Sequence, residues 1–309
     1  IIGGTNMDAT RWVDFWLVDA FTEEPYRGNP AGVVLDATGL DNDAMRLIAR
    51  EIGASETAFV FPPSCAGIDI TLRWFTPTCE VPFCGHATIA TLHLLAEVGR
   101  FRPPADIAIA TLSGQLYGRL CSTGDRSCTA MVQIPTPTFE PAAISPTELA
   151  DALLCAHECL HPDLPLRKDG LHLFVPFDHL SSLINLYPDF RRLSKLGLEH
   201  EITGFACFTT QTVDPSSHWH MRFFAPGVGI SEDPVTGAAQ GPMAVYLLEQ
   251  GLLQLAPGET GNWVGEQGDT LKRRGRVQVQ VVRDPTGKTQ EVCIGGPAVT
   301  VLKGQLRVT

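Results

Sequence analysis

One stretch of this sequence occurs twice, and this repeat limits the folds open to the chain more than any other feature. The first copy covers residues 73–99 and the second covers residues 222–251. Each copy reads as a strand of the form Arg-aromatic-aromatic-x-Pro, a short acidic loop, and an apolar helix that begins at Gly85 or at Gly237. Because a solenoid needs at least three repeats, two copies indicate a duplicated domain.

The starts of the two repeated helices indicate where the two copies act together. The first N–H groups of a helix have no partner within the helix, and together with the helix dipole they attract anions. If two similar domains face each other, Gly85 and Gly237 lie on opposite sides of one cleft. The rest of both helices is too apolar to face solvent, so we also expect both to be core helices.

Length, charge and cysteine content set further limits. The chain has 309 residues, enough for two domains, and we assign residues 7–125 to the first and 126–303 to the second, with a polar boundary at 122–127. The net charge of −11 argues against nucleic acid or an anionic membrane as a partner. We expect no membrane span and no signal peptide. Nine cysteines without a C-x-x-C pair indicate reduced thiols and a cytoplasmic location.

Four polar residues near the repeat can carry chemistry, and each also has an ordinary structural explanation. Glu56 precedes an apolar strand, where a partly desolvated carboxylate suits acid–base work, although composition alone favours an ordinary exposed carboxylate at a strand end. His86 lies in the first turn of the first repeated helix, beside unpaired N–H groups, where it can also bond locally. Asp233 either caps the second helix or faces the His86 region. Cys84 is an activated or a packed thiol, and no matching cysteine precedes the second helix.

Residues 157–161 match H-E-x-x-H, a signature of zinc hydrolases. We interpret them as the end of an ordinary amphipathic helix, which begins after the capping box at Ser145 and runs to about His161. Pro162 stops that helix directly after the second histidine, and no third ligand is evident. The sequence also has no P-loop, no dinucleotide-binding fingerprint and no G-x-S-x-G motif. We therefore predict a site without metal or nucleotide.

Six motifs together resemble the PhzF family of phenazine biosynthesis. They are VDAFT at 18–22, GNPA at 28–31, SETAF at 55–59, RWFTP at 73–77, GHAT at 85–88 and EDPVTG at 232–237. The resemblance implies an α+β, diaminopimelate-epimerase-like fold of two similar domains, each a curved, mostly antiparallel sheet around a central helix, with the active site between them. It also implies a cofactor-independent isomerase, usually a homodimer, whose last strand, at about 304–309, returns to the first domain.

The resemblance further implies roles for individual residues. In the best-known member, the glutamate of the SETAF-like motif moves a proton between carbons of a dihydro-hydroxyanthranilate. That role falls on Glu56, with His86 and Asp233 assisting it. The family pattern has a serine that donates to the substrate's carboxylate where Ala238 stands here, so an anthranilate-type substrate does not follow. The implied substrate contacts are Asn29, Ser55, Cys84, Gly85, Ala87, Thr236, Gly237 and Ala238.

The sequence therefore predicts an isomerase or tautomerase that moves a proton on a small carboxylated or carbonyl-bearing metabolite, in secondary metabolism. Two alternatives stay open. One is an epimerase or lyase that uses Cys84 as its base. The other is an inactive binding protein on the same fold, for which Ala238 is the main argument. Convergence of Glu56, His86 and Asp233 in one cleft would argue against the inactive protein.

Overall fold

The computed structural model describes residues 11–122 and 128–308 of the chain. Its first half is built mainly from short apolar strands that precede and follow one buried helix. The elements in this half are β1 (Arg11–Ala20), β2 (Asn29–Val34), α1 (Asn42–Ile52), β3 (Thr57–Phe61), β4 (Ile70–Phe75), β5 (Glu80–Val81), α2 (Gly85–Glu97), β6 (Ala105–Thr111), β7 (Gly114–Ser122) and β8 (Cys128–Ile134).

The second half has the same plan with more helix inserted before the repeated strand. Two single turns of 3₁₀ helix, His157–Cys159 and Pro226–Val228, lie within it. Its elements are β9 (Phe139–Pro141), α3 (Pro146–Leu153), β10 (Arg167–Asp169), β11 (His172–Pro176), α4 (Leu180–Ile184), α5 (Phe190–Glu199), β12 (Gly204–Thr209), β13 (Trp219–Ala225), β14 (Ile230–Asp233), α6 (Gly237–Glu249), β15 (Thr260–Gln267), β16 (Gly275–Arg283), β17 (Thr289–Gly296) and β18 (Ala298–Val308).

The strand order repeats between the halves, which extends the duplication well beyond the two stretches visible in the sequence. In the first half the neighbours are β1-β2-β3-β4-β6-β7-β8, with β2/β3 and β4/β6 parallel. In the second half they are β10-β11-β12-β13-β15-β16-β17, with β11/β12 and β13/β15 parallel. The matching final strands β8 and β17 pair with each other, so the described strands form one continuous sheet.

The last strand crosses back to the start of the chain. β18 pairs antiparallel with β1 from Arg11↔Val308 to Ala20↔Ala298, with one irregularity between Leu17 and Val18. The predicted domain boundary at 122–127 falls almost entirely on residues 123–127, which lie outside the described residues. The division at 125/126 therefore stays a prediction.

Each half surrounds its repeated helix with strands. α2 and α6 are buried along nearly their whole length, as expected of helices that are apolar on every side. α2 packs against β1, β2 and β8, whereas α6 packs against β16 and β17. The predicted core role of both helices is confirmed, and the long mixed sheet with few helices confirms the α+β class. Among residues 11–122 and 128–308, no helix is long and apolar enough to cross a bilayer.

The repeated strands carry a repeated ion pair. Arg73 donates to both carboxylate oxygens of Glu80 at 2.6 Å, and its guanidinium lies 5.2 Å from the ring centre of Phe75. Arg222 donates in the same way to Glu232, at 2.8 and 2.9 Å. It lies 5.0 Å from the ring of the aromatic residue two places on. The arginine and aromatic residues of the repeated motif therefore stabilise the segment before each central helix.

The helix predicted over 146–161 is shorter than expected. Ser145 caps it as predicted, but α3 ends at Leu153, because Leu154 turns into the left-handed region at φ 53°. Leu160 instead forms an isolated β-bridge with Phe177 and is buried there. A contact distant in sequence therefore replaces the helical stripe that the spacing of apolar residues indicated.

Candidate active site

The starts of α2 and α6 lie against each other. A Cβ atom placed on Gly85 would lie 3.6 Å from the backbone nitrogen of Ala238. A Cβ on either Gly85 or Gly237 would come within 3.0 Å of Ile294 Cδ1, and one on Gly237 would also come within 2.9 Å of Phe21. A larger side chain at either glycine would force its neighbours to move. The two glycines therefore permit the close approach of the helix starts.

The residues before the two helices leave the first turns uncapped. Cys84 and Thr236 are the N-cap residues, and within the described chain neither side chain accepts a hydrogen bond from its helix. The N–H groups of a first turn have no partner inside the helix, so an uncapped start can bind an anion. Because the uncapped starts of α2 and α6 are in contact, the unpaired N–H groups of both helices can bind an anion at the same place.

His86 is directed at two of the residues that the sequence singled out. Its Nε2 lies 3.5 Å from Glu56 Oε2, and its Nδ1 lies 3.5 Å from Cys84 Sγ. Nε2 is buried and has no hydrogen-bond partner among residues 11–122 and 128–308. The Glu56 side chain keeps 16% of its surface exposed, at the entrance of β3. A ligand can therefore reach the Glu56 carboxylate. His86 Nε2, beside it, is available for a hydrogen bond to that ligand or to the carboxylate.

Asp233 is held from both sides. Asn29 Nδ2 donates to Asp233 Oδ1 at 2.9 Å and to the Val235 carbonyl at 2.8 Å, while the Thr236 hydroxyl donates to Asp233 Oδ2. Burial raises the pKa of Asp233, and nearby His86 together with these donors offsets part of that rise. The structure thus brings Glu56, His86 and Asp233 close enough for their charges to interact.

The remaining predicted contacts surround this group. Ala87, like Gly85, is buried in the first turn of α2, and Ala238 is half-buried in the first turn of α6. Ser55 is half-buried, and its Oγ has no hydrogen-bond partner within the described part of the chain. The amide donors of Asn29 are directed at protein acceptors, which suits a supporting position. Substrate contact by any of these residues stays a prediction.

Three residues that no sequence pattern indicated lie directly beneath this site: Gln267, Gln240 and Trp219. Gln267 Nε2 donates to the Asp233 carbonyl at 2.9 Å, and Gln240 and Trp219 continue the contacts into the core. All three side chains are buried. A single glutamine in a strand or helix has no distinctive pattern. The signal that could have found them is the presence of polar residues inside otherwise apolar segments.

Burial decides the state of Cys84. It raises the pKa of the thiol well above its usual range, and the nearby charge of Glu56 adds to this. The helix start that could have activated the thiol does not overcome these two effects. Cys84 is therefore a neutral thiol at physiological pH, which is a poor general base.

We expect Cys84→Ala to keep most of the activity, because a neutral thiol contributes little proton transfer. The measurement is kcat/KM of the variant against wild type on the substrate that the protein isomerises. A loss of roughly a thousandfold, the scale of removing an essential acid or base, would instead support the epimerase or lyase alternative.

Two groups of possible metal ligands occur among residues 11–122 and 128–308. One is Glu56, Cys84 and His86, whose ligand atoms lie within 4.8 Å of one another. Its thiol favours the neutral form, whereas a metal needs the thiolate. The other is His220, Glu266 and Asp269. Its carboxylates already bond His220, two backbone N–H groups and Arg276, so it reads as a structural network.

The H-E-x-x-H residues do not form a helical pair of ligands. His157 and Glu158 are exposed in a 3₁₀ turn, and together with His161 they line a cavity of about 490 Å³ to which no candidate site residue contributes. A zinc site of this kind needs both histidines on one face of a helix.

We expect elemental analysis to find well under one zinc per chain and chelators to leave activity unchanged. About one zinc per chain would overturn this.

Comparisons with known proteins show the family to which the chain belongs. A family model, PhzC-PhzF, phenazine biosynthesis-like protein, matches residues 18–304. An uncharacterized isomerase of Escherichia coli (strain K12) is 35% identical over 294 residues, covering 93% of this chain and 96% of that protein. The trans-2,3-dihydro-3-hydroxyanthranilate isomerase of Pseudomonas aeruginosa is 33% identical over 232 residues, covering 75% of this chain and 78% of that enzyme.

A solved structure supports the same assignment. The phenazine biosynthesis protein of the PhzF family from Bacillus anthracis matches with a TM-score of 0.87 and 30% identity, and the match covers 96% of this chain and 99% of that one. The family expected from the six motifs and its α+β fold are thereby confirmed. The chain belongs to the PhzC-PhzF family of phenazine biosynthesis-like proteins, and it is an isomerase.

Proposed function

We propose that this isomerase works without a cofactor, and that Glu56 carries a proton between two atoms of a small substrate with a carboxylate or carbonyl group. The observation that supports this most is the meeting of Glu56, His86 and Asp233 beside the starts of two buried helices. A carboxylate in such a place can take a proton from one carbon and return it to another.

His86 and Asp233 support the shuttle in different ways. His86 Nε2, 3.5 Å from the Glu56 carboxylate, can donate to it or to a substrate oxygen and so steady the charge that develops. Asp233 provides a negative charge near the imidazole, and Asn29 holds that carboxylate in place. In this proposal Asn29 acts through Asp233 rather than on the substrate.

The backbone at the two helix starts recognises the negative end of the substrate. The N–H groups near Gly85 and Gly237 would bind its carboxylate, or the oxyanion that forms when a proton leaves a carbon next to a carbonyl. Ala238 offers its backbone N–H but no hydroxyl. We therefore propose that this chain recognises the anion mainly through its backbone, and that its substrate differs from an anthranilate.

The two alternatives from the sequence have less support. A base at Cys84 conflicts with the neutral state of that buried thiol. An inactive binding protein would have no need to gather Glu56, His86 and Asp233 around one point. The family membership supports further parts of the proposal, namely a cytoplasmic homodimer that serves secondary metabolism.

The test is a search for proton transfer rather than for one product. The protein is incubated in D₂O with trans-2,3-dihydro-3-hydroxyanthranilate and with a panel of small unsaturated carboxylic and keto acids, and ¹H NMR follows each compound. We expect at least one compound to isomerise or to exchange a carbon-bound proton, and Glu56→Gln to stop this. Exchange that survives in Glu56→Gln, or no exchange with any compound, would count against the proposal.

A further inference from the structure

We propose that Gln267 is a positioning residue of the active site: its amide directs the Thr236 hydroxyl onto Asp233 and so keeps that carboxylate oriented and ionised beside His86. The role in turnover rests on the proposed function above, whereas the effect on Asp233 does not. Four successive hydrogen bonds lead from Trp219 to Asp233, and the chemistry of the groups determines the direction of each.

The first bonds fix the orientation of Gln240. The indole of Trp219 can only donate, and its Nε1 lies 2.6 Å from Gln240 Oε1, so this oxygen is the acceptor. The NH₂ group of Gln240 then lies 3.0 Å from Gln267 Oε1 and donates to it. Trp219 and Gln240 have no exposed surface, so water does not compete for these bonds.

A second donor fixes Gln267 independently. The backbone N–H of Thr236 also donates to Gln267 Oε1, at 3.0 Å. The amide oxygen therefore receives two N–H groups and the NH₂ group faces the other way, toward the Asp233 carbonyl at 2.9 Å and Thr236 Oγ1 at 3.1 Å. A flipped amide would place NH₂ against two donors and its oxygen against a carbonyl, which would leave buried polar groups without hydrogen bonds.

The last bond reaches the carboxylate. Because Thr236 Oγ1 accepts from Gln267, its own hydrogen is free for Asp233 Oδ2. The result is a chain of donors from Trp219 through Gln240, Gln267 and Thr236 to Asp233. Hydrogen bonds in such a chain polarise one another in a buried setting. Asn29 donates to Asp233 Oδ1, so both carboxylate oxygens of Asp233 accept a hydrogen bond.

This arrangement offsets the cost of burying Asp233. The titratable groups that act on its charge are His86, which favours the ionised form, and Glu56, which opposes it. Cys84 is also near, but as a neutral thiol it adds no charge. Burial opposes ionisation most strongly. Without the Gln267 amide to accept from, the Thr236 hydroxyl is no longer directed onto Asp233 Oδ2 and can turn away, and the carboxylate would then take up a proton at higher pH.

The test follows the titration of the Asp233 carboxyl carbon by ¹³C NMR on the full-length protein without substrate, assigned by its absence in Asp233→Asn. In Gln267→Met we expect the midpoint to rise by about one to two pH units, the size of a lost hydrogen bond to a charged group. Gln278→Met changes an exposed glutamine on the neighbouring strand β16 and should leave the midpoint unchanged. A wild-type midpoint in folded Gln267→Met would overturn the proposal.

Variants at Thr236 test the same chain if Gln267→Met fails to fold. Thr236→Val keeps the shape but removes the hydroxyl, and should raise the midpoint as Gln267→Met does. Thr236→Ser restores the hydroxyl and should restore the midpoint. Equal midpoints in the Val and Ser variants would overturn the proposal. Because no substrate is present, a protein that shifts its midpoint but isomerises nothing would refute only the proposed function.

Discussion

Glu56→Gln is expected to abolish turnover while the protein still folds and binds its ligand. Glutamine keeps the size of glutamate and much of its hydrogen bonding, but it cannot carry a proton from one atom to another. General acid–base groups contribute about 10²–10⁴ in rate, and a group that both takes and returns the proton should lie at the top of that range. The loss should fall on kcat, because ligand binding at the helix starts uses other groups.

The matched control is Glu51→Gln. This substitution makes the same chemical change at an exposed glutamate on α1, away from the site. It should keep wild-type rates. Wild-type turnover in D₂O should also leave part of the transferred hydrogen undeuterated if the closed site excludes water. If Glu56→Gln binds the compound and turns it over at near the wild-type rate, then Glu56 is only a carboxylate at a strand end and the mechanism is wrong.

Arg222→Met is expected to lower the free energy of unfolding by about 3–5 kcal/mol, the cost of removing one partner from a buried ion pair. Only 7% of the Arg222 side chain is exposed. Besides Glu232, its guanidinium bonds three backbone carbonyls at the end of α4, at 2.8–3.2 Å. Methionine fills much of the volume but leaves Glu232 and these carbonyls without their donor. The measurement is equilibrium unfolding in urea.

The duplicated fold provides the control for this prediction. Arg73→Met makes the same change in the equivalent pair with Glu80, where 24% of the arginine side chain is exposed. We expect a smaller loss there, on the order of 1 kcal/mol, because water can replace part of the interaction. Equal losses in the two variants would show that burial does not set the energy of this ion pair.

Local rules predicted the elements whose ends depend on neighbouring residues. Ser145 caps α3 as predicted, and α1 follows the same rules, because Asp41 accepts from the Ala44 N–H at 2.8 Å and Gly53 adopts the left-handed conformation at φ 74°. These signals act within a few residues and so are legible in the sequence. The predicted end of α3 was wrong because it depends on a contact between distant residues. The position of Leu160 depends on Phe177, which is not its neighbour in the sequence.

The sequence by itself determined the duplication, the two apolar helices with glycine at their starts, the family, and Glu56, His86 and Asp233 as candidates. Repeats, periodicity and motifs carry this information because each is a property of residues close together in the chain. Only the tertiary structure decided that Asn29 bonds Asp233 and that Gln267 bonds Thr236 and the Asp233 carbonyl. Those pairs join distant segments, and their formation depends on how the whole sheet closes rather than on any local preference.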